Sequence, residues 1–232
     1  MRMNCREACG NGVDENFVPA FRPMPPTPRG LPLKILRAEF IRSCLTTEQL
    51  PSGTIPEFAF AGRSNVGKSS LINTLLQRRG LAKVSRTPGK TRALNLFAVS
   101  TDDPTMPHCH IVDLPGYGYA KVSKSVRAQW APLVEGYLAN REQLLAVVLL
   151  VESRVPREQD GDTIAWLASI GCSPIVVATK ADKLKAGERV GALRRLCDVL
   201  AIQNREALIP FSSVTKEGRD RLWAALLLRV RT

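Results

Sequence analysis

The chain has 232 residues, of which 44% are hydrophobic, so it is long enough to bury the core of one domain or two small ones. Its formal net charge is +12 and its isoelectric point is near 9.9. The first 33 residues carry four arginines against three acidic residues, so nearly all of this charge belongs to the remainder. A folded part this basic favours a polyanionic partner, either nucleic acid or an anionic membrane.

Cysteine usage and hydropathy exclude several classes of protein. The six cysteines are scattered without a C-x-x-C pair, which predicts reduced thiols rather than a zinc site or a disulfide framework. The first residues lack the apolar core of a signal peptide, and no run of eighteen apolar residues occurs. We therefore expect a cytoplasmic protein without a stable membrane anchor.

The N-terminal region differs from the rest of the chain. Residues 1–35 are rich in proline and lack apolar periodicity, which predicts a disordered or extended arm. Residues 36–43 fit either an edge strand or a short helix. The folded domain is expected to span residues 36–232.

The strongest motif follows the apolar run 58–61. Residues 62–69 read G-x-x-x-x-G-K-S and lead into a second apolar run, 71–76; a strand, a tight loop and a helix are therefore predicted, as a phosphate-binding loop requires. Lys68 would reach the β- and γ-phosphates, and the Ser69 hydroxyl would ligate Mg²⁺. The helix is predicted to end near Arg78-Arg79-Gly80. The loop residues expected to bind the nucleotide are Gly62, Arg63, Ser64, Asn65, Val66, Gly67, Lys68, Ser69 and Ser70.

The remaining elements alternate along the chain. Residues 82–90 predict a loop, and residues 92–99 and 108–113 predict a hairpin. Helices predicted at 125–141, 158–170, 187–201 and 216–230 alternate with strands predicted at 144–151, 174–178 and 207–211. This order predicts a three-layer α/β P-loop NTPase fold with a mostly parallel sheet and an antiparallel edge hairpin.

Three polar stretches follow predicted strands, where such a sheet forms its ligand site. Asp113 would hold Mg²⁺ through water, and the Gly116 N–H would meet the γ-phosphate. The sequence Thr179-Lys180-Ala181-Asp182 supplies a carboxylate that can accept both the N1–H and the exocyclic amine of guanine, a donor pair that adenine lacks. The Lys180 stem can lie along the base. The stretch Phe211-Ser212-Ser213 can direct a backbone N–H at the guanine O6.

Together these motifs resemble the EngB family of Era-like P-loop GTPases, whose domain is a small G domain. The resemblance spans residues 36–232. It rests on the sequences G-R-S-N-V-G-K-S-S, S-R-T-P-G-K-T-R, D-L-P-G-Y-G-Y-A, T-K-A-D-K-L and F-S-S, in that order. It implies a cytoplasmic GTPase needed for assembly of the large ribosomal subunit and for normal division septation. The implied partners are GTP, GDP, the large-subunit precursor and its rRNA, and we expect a monomer.

The resemblance also implies roles for single residues. Gly89 and Thr91 match the first switch loop, where Thr91 is expected to meet Mg²⁺ and Thr87 is the second choice. Tyr117 replaces the water-orienting glutamine of Ras-like enzymes, so slow intrinsic hydrolysis is expected. Asn65 matches the ligand of K⁺ in potassium-dependent relatives. The residues expected to act in hydrolysis are Lys68, Thr91, Gly116 and Asn65.

Three features leave alternatives open. Glu152 stands where the family usually has aspartate, so no role is assigned to it. Lys121, Lys124 and Arg127 are expected to face rRNA, with a solvated helix start as the competing interpretation. Two other functions remain in view: a membrane- or septum-associated GTPase that uses the basic surface on anionic lipid, and a P-loop ATPase or kinase.

Overall fold

A computed structural model describes residues 33–83, 93–116 and 124–231, with the backbone alone for residues 124–130. These ranges contain seven strands and five α-helices. The strands are β1 (Ile35–Cys44), β2 (Glu57–Gly62), β3 (Leu94–Thr101), β4 (His108–Asp113), β5 (Leu144–Glu152), β6 (Ile175–Thr179) and β7 (Leu208–Pro210). The helices are α1 (Lys68–Leu75), α2 (Lys124–Asn140), α3 (Glu158–Ser169), α4 (Ala186–Val199) and α5 (Arg219–Arg231).

The strands form one sheet in the order β1-β3-β4-β2-β5-β6-β7. The five strands from β4 to β7 in this order run parallel, whereas β3 is antiparallel to both β4 and β1. The predicted mixed sheet with an antiparallel hairpin is therefore confirmed. Of the two interpretations of residues 36–43, the edge strand is correct, and β1 lies outside the hairpin as a third antiparallel strand.

Two apolar clusters cover the two faces of the sheet, which makes the fold three-layered. Alternate residues of β5 show the division, because Val147, Leu149 and Val151 join one cluster and Val148 and Leu150 join the other. The first cluster includes residues of α2, α3 and α4, and the second includes residues of α1 and α5. Burial on both faces explains why β5 is an unbroken apolar run.

The predicted end of α1 is wrong. The helix ends at Leu75, and Gln77 has a φ of 54°, in the left-handed region. The Arg78 N–H donates to the Asn73 carbonyl over 3.0 Å and the Gln77 N–H to the Thr74 carbonyl over 3.2 Å, the hydrogen bonds of a Schellman motif. Glutamine thus takes the position usually held by glycine, and the arginines follow the helix instead of closing it.

The expected arm lies outside the described residues except at its end. Leu33 packs against the second apolar cluster and β1 starts at Ile35, so the folded part begins slightly before residue 36. In the described ranges, no helix is long and apolar enough to span a membrane. Four cysteines, Cys44, Cys109, Cys172 and Cys197, are free and buried; Cys5 and Cys9 lie outside those ranges.

Candidate functional site

The predicted site residues that the structure describes lie at the carboxyl ends of the parallel strands. The phosphate loop leaves β2 at Gly62 and enters α1 at Lys68. Gly67, which precedes the helix, has φ 107° and ψ 16°, a conformation that side chains disfavour. Gly62 is needed for a different reason: a Cβ there would lie 2.9 Å from Val66 Cγ1 and 3.0 Å from Leu150 Cβ. One glycine allows the turn, and the other allows the loop to pack against β5.

The loop is fixed by hydrogen bonds as well as by packing. Asn65 has a φ of 63°, and the Val66 N–H donates to the Arg63 carbonyl over 3.2 Å. The hydroxyl of Thr179, at the end of β6, lies 2.7 Å from the Val66 carbonyl oxygen. Thr179 was predicted to bind the nucleotide as part of the base loop. Its buried side chain bonds the phosphate loop, so it joins the two parts of the site, and its role toward the nucleotide stays a prediction.

The side chain of Arg63 points away from the loop and into the protein. Its Nε donates to Asp160 Oδ1 over 2.9 Å, and its Nη2 donates to the Val155 carbonyl over 3.3 Å. Asp160, in the first turn of α3, also accepts from the Arg157 N–H over 3.2 Å. Burial raises the pKa of the Asp160 carboxyl, against the opposing effect of the Arg63 charge. Any contact of Arg63 with a nucleotide would therefore come from its backbone.

Lys68 and Asp113 meet at the start of α1. The Lys68 ammonium donates to the Asp113 carboxylate and, over 2.7 Å, to the Leu114 carbonyl. Both charged side chains are largely buried. The Asp113 carboxylate and the neighbouring Ser69 hydroxyl are oxygen donors of the kind that Mg²⁺ prefers. Their chemistry and their place beside the phosphate loop fit a magnesium ion.

Gly116 lies against the phosphate loop. A Cβ at this position would be 2.8 Å from Ser64 Oγ and 3.2 Å from the Ser64 backbone nitrogen. A side chain at residue 116 would crowd Ser64, so glycine favours this close approach of the segment that leaves β4 to the phosphate loop. This contact joins the phosphate loop to the residue whose N–H was predicted to meet the γ-phosphate.

The base-recognition segments after β6 and β7 also meet. The Ser212 hydroxyl donates to Asp182 Oδ1 over 2.7 Å, and the Ala181 N–H donates to the Phe211 carbonyl over 3.0 Å. Asp182 is exposed, which leaves its carboxylate accessible to a base. The Phe211 side chain lies in the core, so a contact from this residue would come from its backbone.

The backbone N–H groups of this last loop are not equally accessible. Those of Phe211 and Ser212 donate to the Ala178 and Glu217 carbonyls over 2.8 and 3.1 Å. Since both are used within the protein, Ser213 is the member of the three whose N–H we expect to face the guanine O6.

The structure adds partners that the sequence did not predict. Lys180 Nζ donates to Glu152 Oε2 over 2.8 Å, and Arg63 pairs with Asp160. The partners are 28 and 97 residues apart, so no short motif contains them. The unusual glutamate in the family's aspartate position was the only signal, and it pointed to Glu152 alone.

Several predicted site residues lie outside the described ranges. They are Gly89 and Thr91, with Thr87 as second choice, together with Tyr117 and Lys121. Lys124 and Arg127 belong to α2, but only their backbone is described. Their roles therefore stay predictions.

Comparison with known proteins agrees with this geometry. Residues 57–180 match the family model described as "50S ribosome-binding GTPase". A probable GTP-binding protein EngB from Anaeromyxobacter sp. (strain Fw109-5) is 46% identical over 200 residues, which cover 84% of this chain and 92% of the relative. The corresponding protein of Clostridium perfringens (strain 13 / Type A) is 47% identical over 192 residues, covering 82% of this chain and 94% of the relative.

Solved structures show the same fold. A crystal structure of a probable GTP-binding protein engB has a TM-score of 0.59 at 23% identity and covers 75% of this chain and 98% of its own. Aquifex aeolicus Era, as a variant bound to GDP·AlF4⁻, has a TM-score of 0.62 at 21% identity, covering 76% of this chain and 57% of its own. At these identities the likeness shows the fold alone.

Proposed function

The chain is a GTPase of the EngB family, and on this basis we propose that it uses GTP hydrolysis as a conformational switch in assembly of the large ribosomal subunit. We extend the proposal to normal formation of the division septum and to a monomer acting in the cytoplasm. The proposal of a switch rests on one observation: the phosphate loop, Asp113 and Asp182 lie together at the carboxyl ends of the parallel strands. Each of the three follows a different strand, as a nucleotide site in this fold requires.

The phosphate end of the site would work through charge. The Lys68 ammonium, now bonded to Asp113 and Leu114, would turn to the β- and γ-phosphates of GTP. Ser69 and, through water, Asp113 would hold Mg²⁺, with Thr91 as a further ligand in the GTP state. When bound, the ion neutralises charge on the phosphoryl oxygens.

The switch itself would depend on the γ-phosphate. The Gly116 N–H and Thr91 would both contact that phosphate or its metal, and hydrolysis would remove those contacts. Because Gly116 already lies against Ser64, a small shift of the segment after β4 would be felt in the phosphate loop.

The base end would select guanine. The Asp182 carboxylate, held by the Ser212 hydroxyl over 2.7 Å, can accept both donors on the Watson–Crick edge of guanine. An adenine base would leave those acceptors unpaired, at a cost of about 1–3 kcal/mol. This argues against a P-loop ATPase or kinase.

Hydrolysis is expected to be slow without a further element, because Tyr117 cannot orient water as glutamine does. We propose that Asn65 coordinates a K⁺ ion that supplies the missing positive charge. GTP hydrolysis should then be faster in potassium buffer than in sodium buffer. Equal rates in both buffers, with and without ribosomes, would refute the potassium site.

The ribosomal partner is supported by charge and by the relatives. The net charge of +12 suits a polyanion, and the matching family model is described as ribosome-binding. One solved structure of Era, similar in fold, is a complex with MgGDPNP and nucleotides 1506–1542 of 16S ribosomal RNA. We propose a related role here, but on the large subunit.

Co-sedimentation with purified ribosomal subunits tests this role. The protein should pellet with the large subunit in the presence of a GTP analogue and much less with GDP. Liposomes of anionic and neutral lipid provide the opposing arm; preferential binding to anionic liposomes, without subunit binding, would favour the membrane-associated GTPase. Charge reversal at Lys121, Lys124 and Arg127 should weaken subunit binding and leave GTP affinity intact.

A further inference from the structure

The end of β5 supports the base-recognition loop, residues 179–182 after β6, through three hydrogen bonds. Glu152 is the last residue of β5 and pairs in register with Thr179 of β6. Its carboxylate accepts from the Lys180 ammonium over 2.8 Å. The next residue, Ser153, donates its N–H to the Thr179 carbonyl over 3.1 Å and its hydroxyl to the Lys180 carbonyl over 3.3 Å. Two consecutive residues thus hold both the backbone and the side chain of the loop.

Lys180 needs this support because of its backbone. Its φ is 59° and its ψ is 35°, a left-handed conformation that is unfavourable for a residue with a Cβ. Such a conformation persists where the surrounding structure determines it. Ser153 is 1% exposed, so its contacts with the loop are shielded from competing water.

The ion pair with Glu152 restricts the Lys180 side chain. Both side chains are partly buried, with 26% of Lys180 and 18% of Glu152 exposed, so the pair is less screened than one at the surface. A second cation, Arg154, lies with Nη2 3.7 Å from the other Glu152 oxygen. Glu152 is therefore held between two positive groups and keeps its carboxylate at the end of β5.

We propose that Glu152 and Ser153 are positioning residues for guanine recognition. Glu152 fixes the Lys180 stem in the line along which the base lies, and Ser153 fixes the backbone turn from which that stem projects. The inference rests on the proposed base site. Both would act on the lifetime of the bound state through their contacts with the loop, Glu152 on the Lys180 side chain and Ser153 on the Lys180 and Thr179 carbonyls.

The test is the dissociation rate of a fluorescent GDP analogue, measured by stopped flow with excess unlabelled GDP. Glu152→Gln should accelerate dissociation by about threefold to tenfold, as expected for a partly buried charged hydrogen bond, with the association rate little changed. Ser153→Ala should act in the same direction. Glu152→Asp keeps the charge on a shorter arm and should restore part of the lost lifetime.

A thermodynamic cycle distinguishes positioning from a general structural role. If Glu152 acts through Lys180, then Glu152→Gln should have no further effect on dissociation in a Lys180→Met background. Glu39→Gln is the matched control, because it removes a glutamate that pairs with arginine on β1, at the edge of the sheet. It should leave the dissociation rate unchanged.

The outcomes separate this inference from the proposed function. Failure of the unmodified protein to bind guanine nucleotide would refute the base site itself. Normal binding with additive effects of Glu152→Gln and Lys180→Met would overturn the positioning role. If Glu152→Gln lowers the melting temperature of the nucleotide-free protein, Glu152→Asp and Ser153→Ala carry the test, and unchanged dissociation in both would also overturn it.

Discussion

The Arg63–Asp160 ion pair gives the sharpest stability prediction, because it joins the phosphate loop to α3 inside the protein. The Asp160 side chain is 0% exposed and that of Arg63 is 10% exposed. Arg63→Met keeps an extended apolar stem but removes the charge, which leaves a buried carboxylate without its cation. Removal of one partner of a buried pair costs about 3–5 kcal/mol.

The local structure places the expected cost at the lower end of that range. Asp160 would keep its hydrogen bond from the Arg157 N–H, 3.2 Å long, and its place in the first turn of α3, where the helix dipole favours a negative charge. We therefore expect Arg63→Met to lower the free energy of unfolding by about 3 kcal/mol near neutral pH. Urea denaturation of the nucleotide-free protein, followed by circular dichroism, measures this loss.

The loss should depend on pH in a defined direction. Burial already raises the pKa of Asp160, and removal of Arg63 should raise it further. The folded variant then holds a proton that the unfolded chain releases near its ordinary pKa of about 3.9. Stability therefore falls as pH rises between these two pKa values, and the difference from the unmodified protein should be smaller at about pH 5 than at about pH 8.

Asp160→Asn and the exposed Arg37–Glu39 pair provide the controls. Asp160→Asn removes the buried charge and keeps an oxygen for the Arg157 N–H, so Arg63→Met with Asp160→Asn should recover more than half of the loss. Arg37→Met breaks a pair whose arginine side chain is 73% exposed and should cost less than about 1 kcal/mol. Strictly additive single effects, or equal losses for Arg63→Met and Arg37→Met, would contradict a buried, coupled pair.

Three further predictions concern the base site and the opposite end of the sheet. Gly218 has a φ of 79°, and a Cβ there would lie 2.2 Å from the Pro210 carbonyl oxygen. Gly218→Ala should therefore lower the free energy of unfolding, measured by urea denaturation, by more than about 1–2 kcal/mol. It should also weaken GDP binding, because it displaces the loop after β7. Asp182→Asn should shift preference from GTP to XTP in competition binding; unchanged preference would refute the base assignment. Burial opposes ionisation of Glu57, but contacts with His110, Arg141 and Tyr137 outweigh it and lower the pKa of its carboxyl. The ionised Glu57 therefore stabilises the folded protein, and this contribution is lost as pH falls below about 4.3. The unmodified protein should then lose more stability than Glu57→Gln between about pH 5 and about pH 3, and parallel losses would contradict this.

Much of the site could be predicted because local sequence determines it. The phosphate loop and the base loop each follow an apolar strand directly, and hydrophobic patterning places that strand in the sheet. Once strands alternate with helices in a parallel sheet, the carboxyl ends of the strands lie on the same side of the sheet, where ligands bind. Positions of the described elements agreed with prediction to within a few residues, except at the end of α1. There Gln77 took a left-handed conformation that sequence rules reserve mainly for glycine.

The contacts that the sequence did not predict join residues that lie far apart in the chain. Thr179 bonds a carbonyl 113 residues away in the phosphate loop, and Arg63 pairs with a carboxylate 97 residues away. Neither contact can be predicted from a short stretch of sequence, because each depends on how strands and a helix pack together. The same holds for Glu152, whose partner lies on the neighbouring strand's loop.

Short-range patterning and motif chemistry encode the order of the strands and helices along the chain, the phosphate loop and the selection of guanine, so each of these could be predicted from the sequence. The direction of the Arg63 side chain, the hydrogen bond from the Thr179 hydroxyl and the carboxylate that restrains Lys180 depend instead on how the chain packs. Those contacts arise because the parallel strands bring distant residues together at their carboxyl ends, where burial makes an unpaired charge or hydroxyl costly.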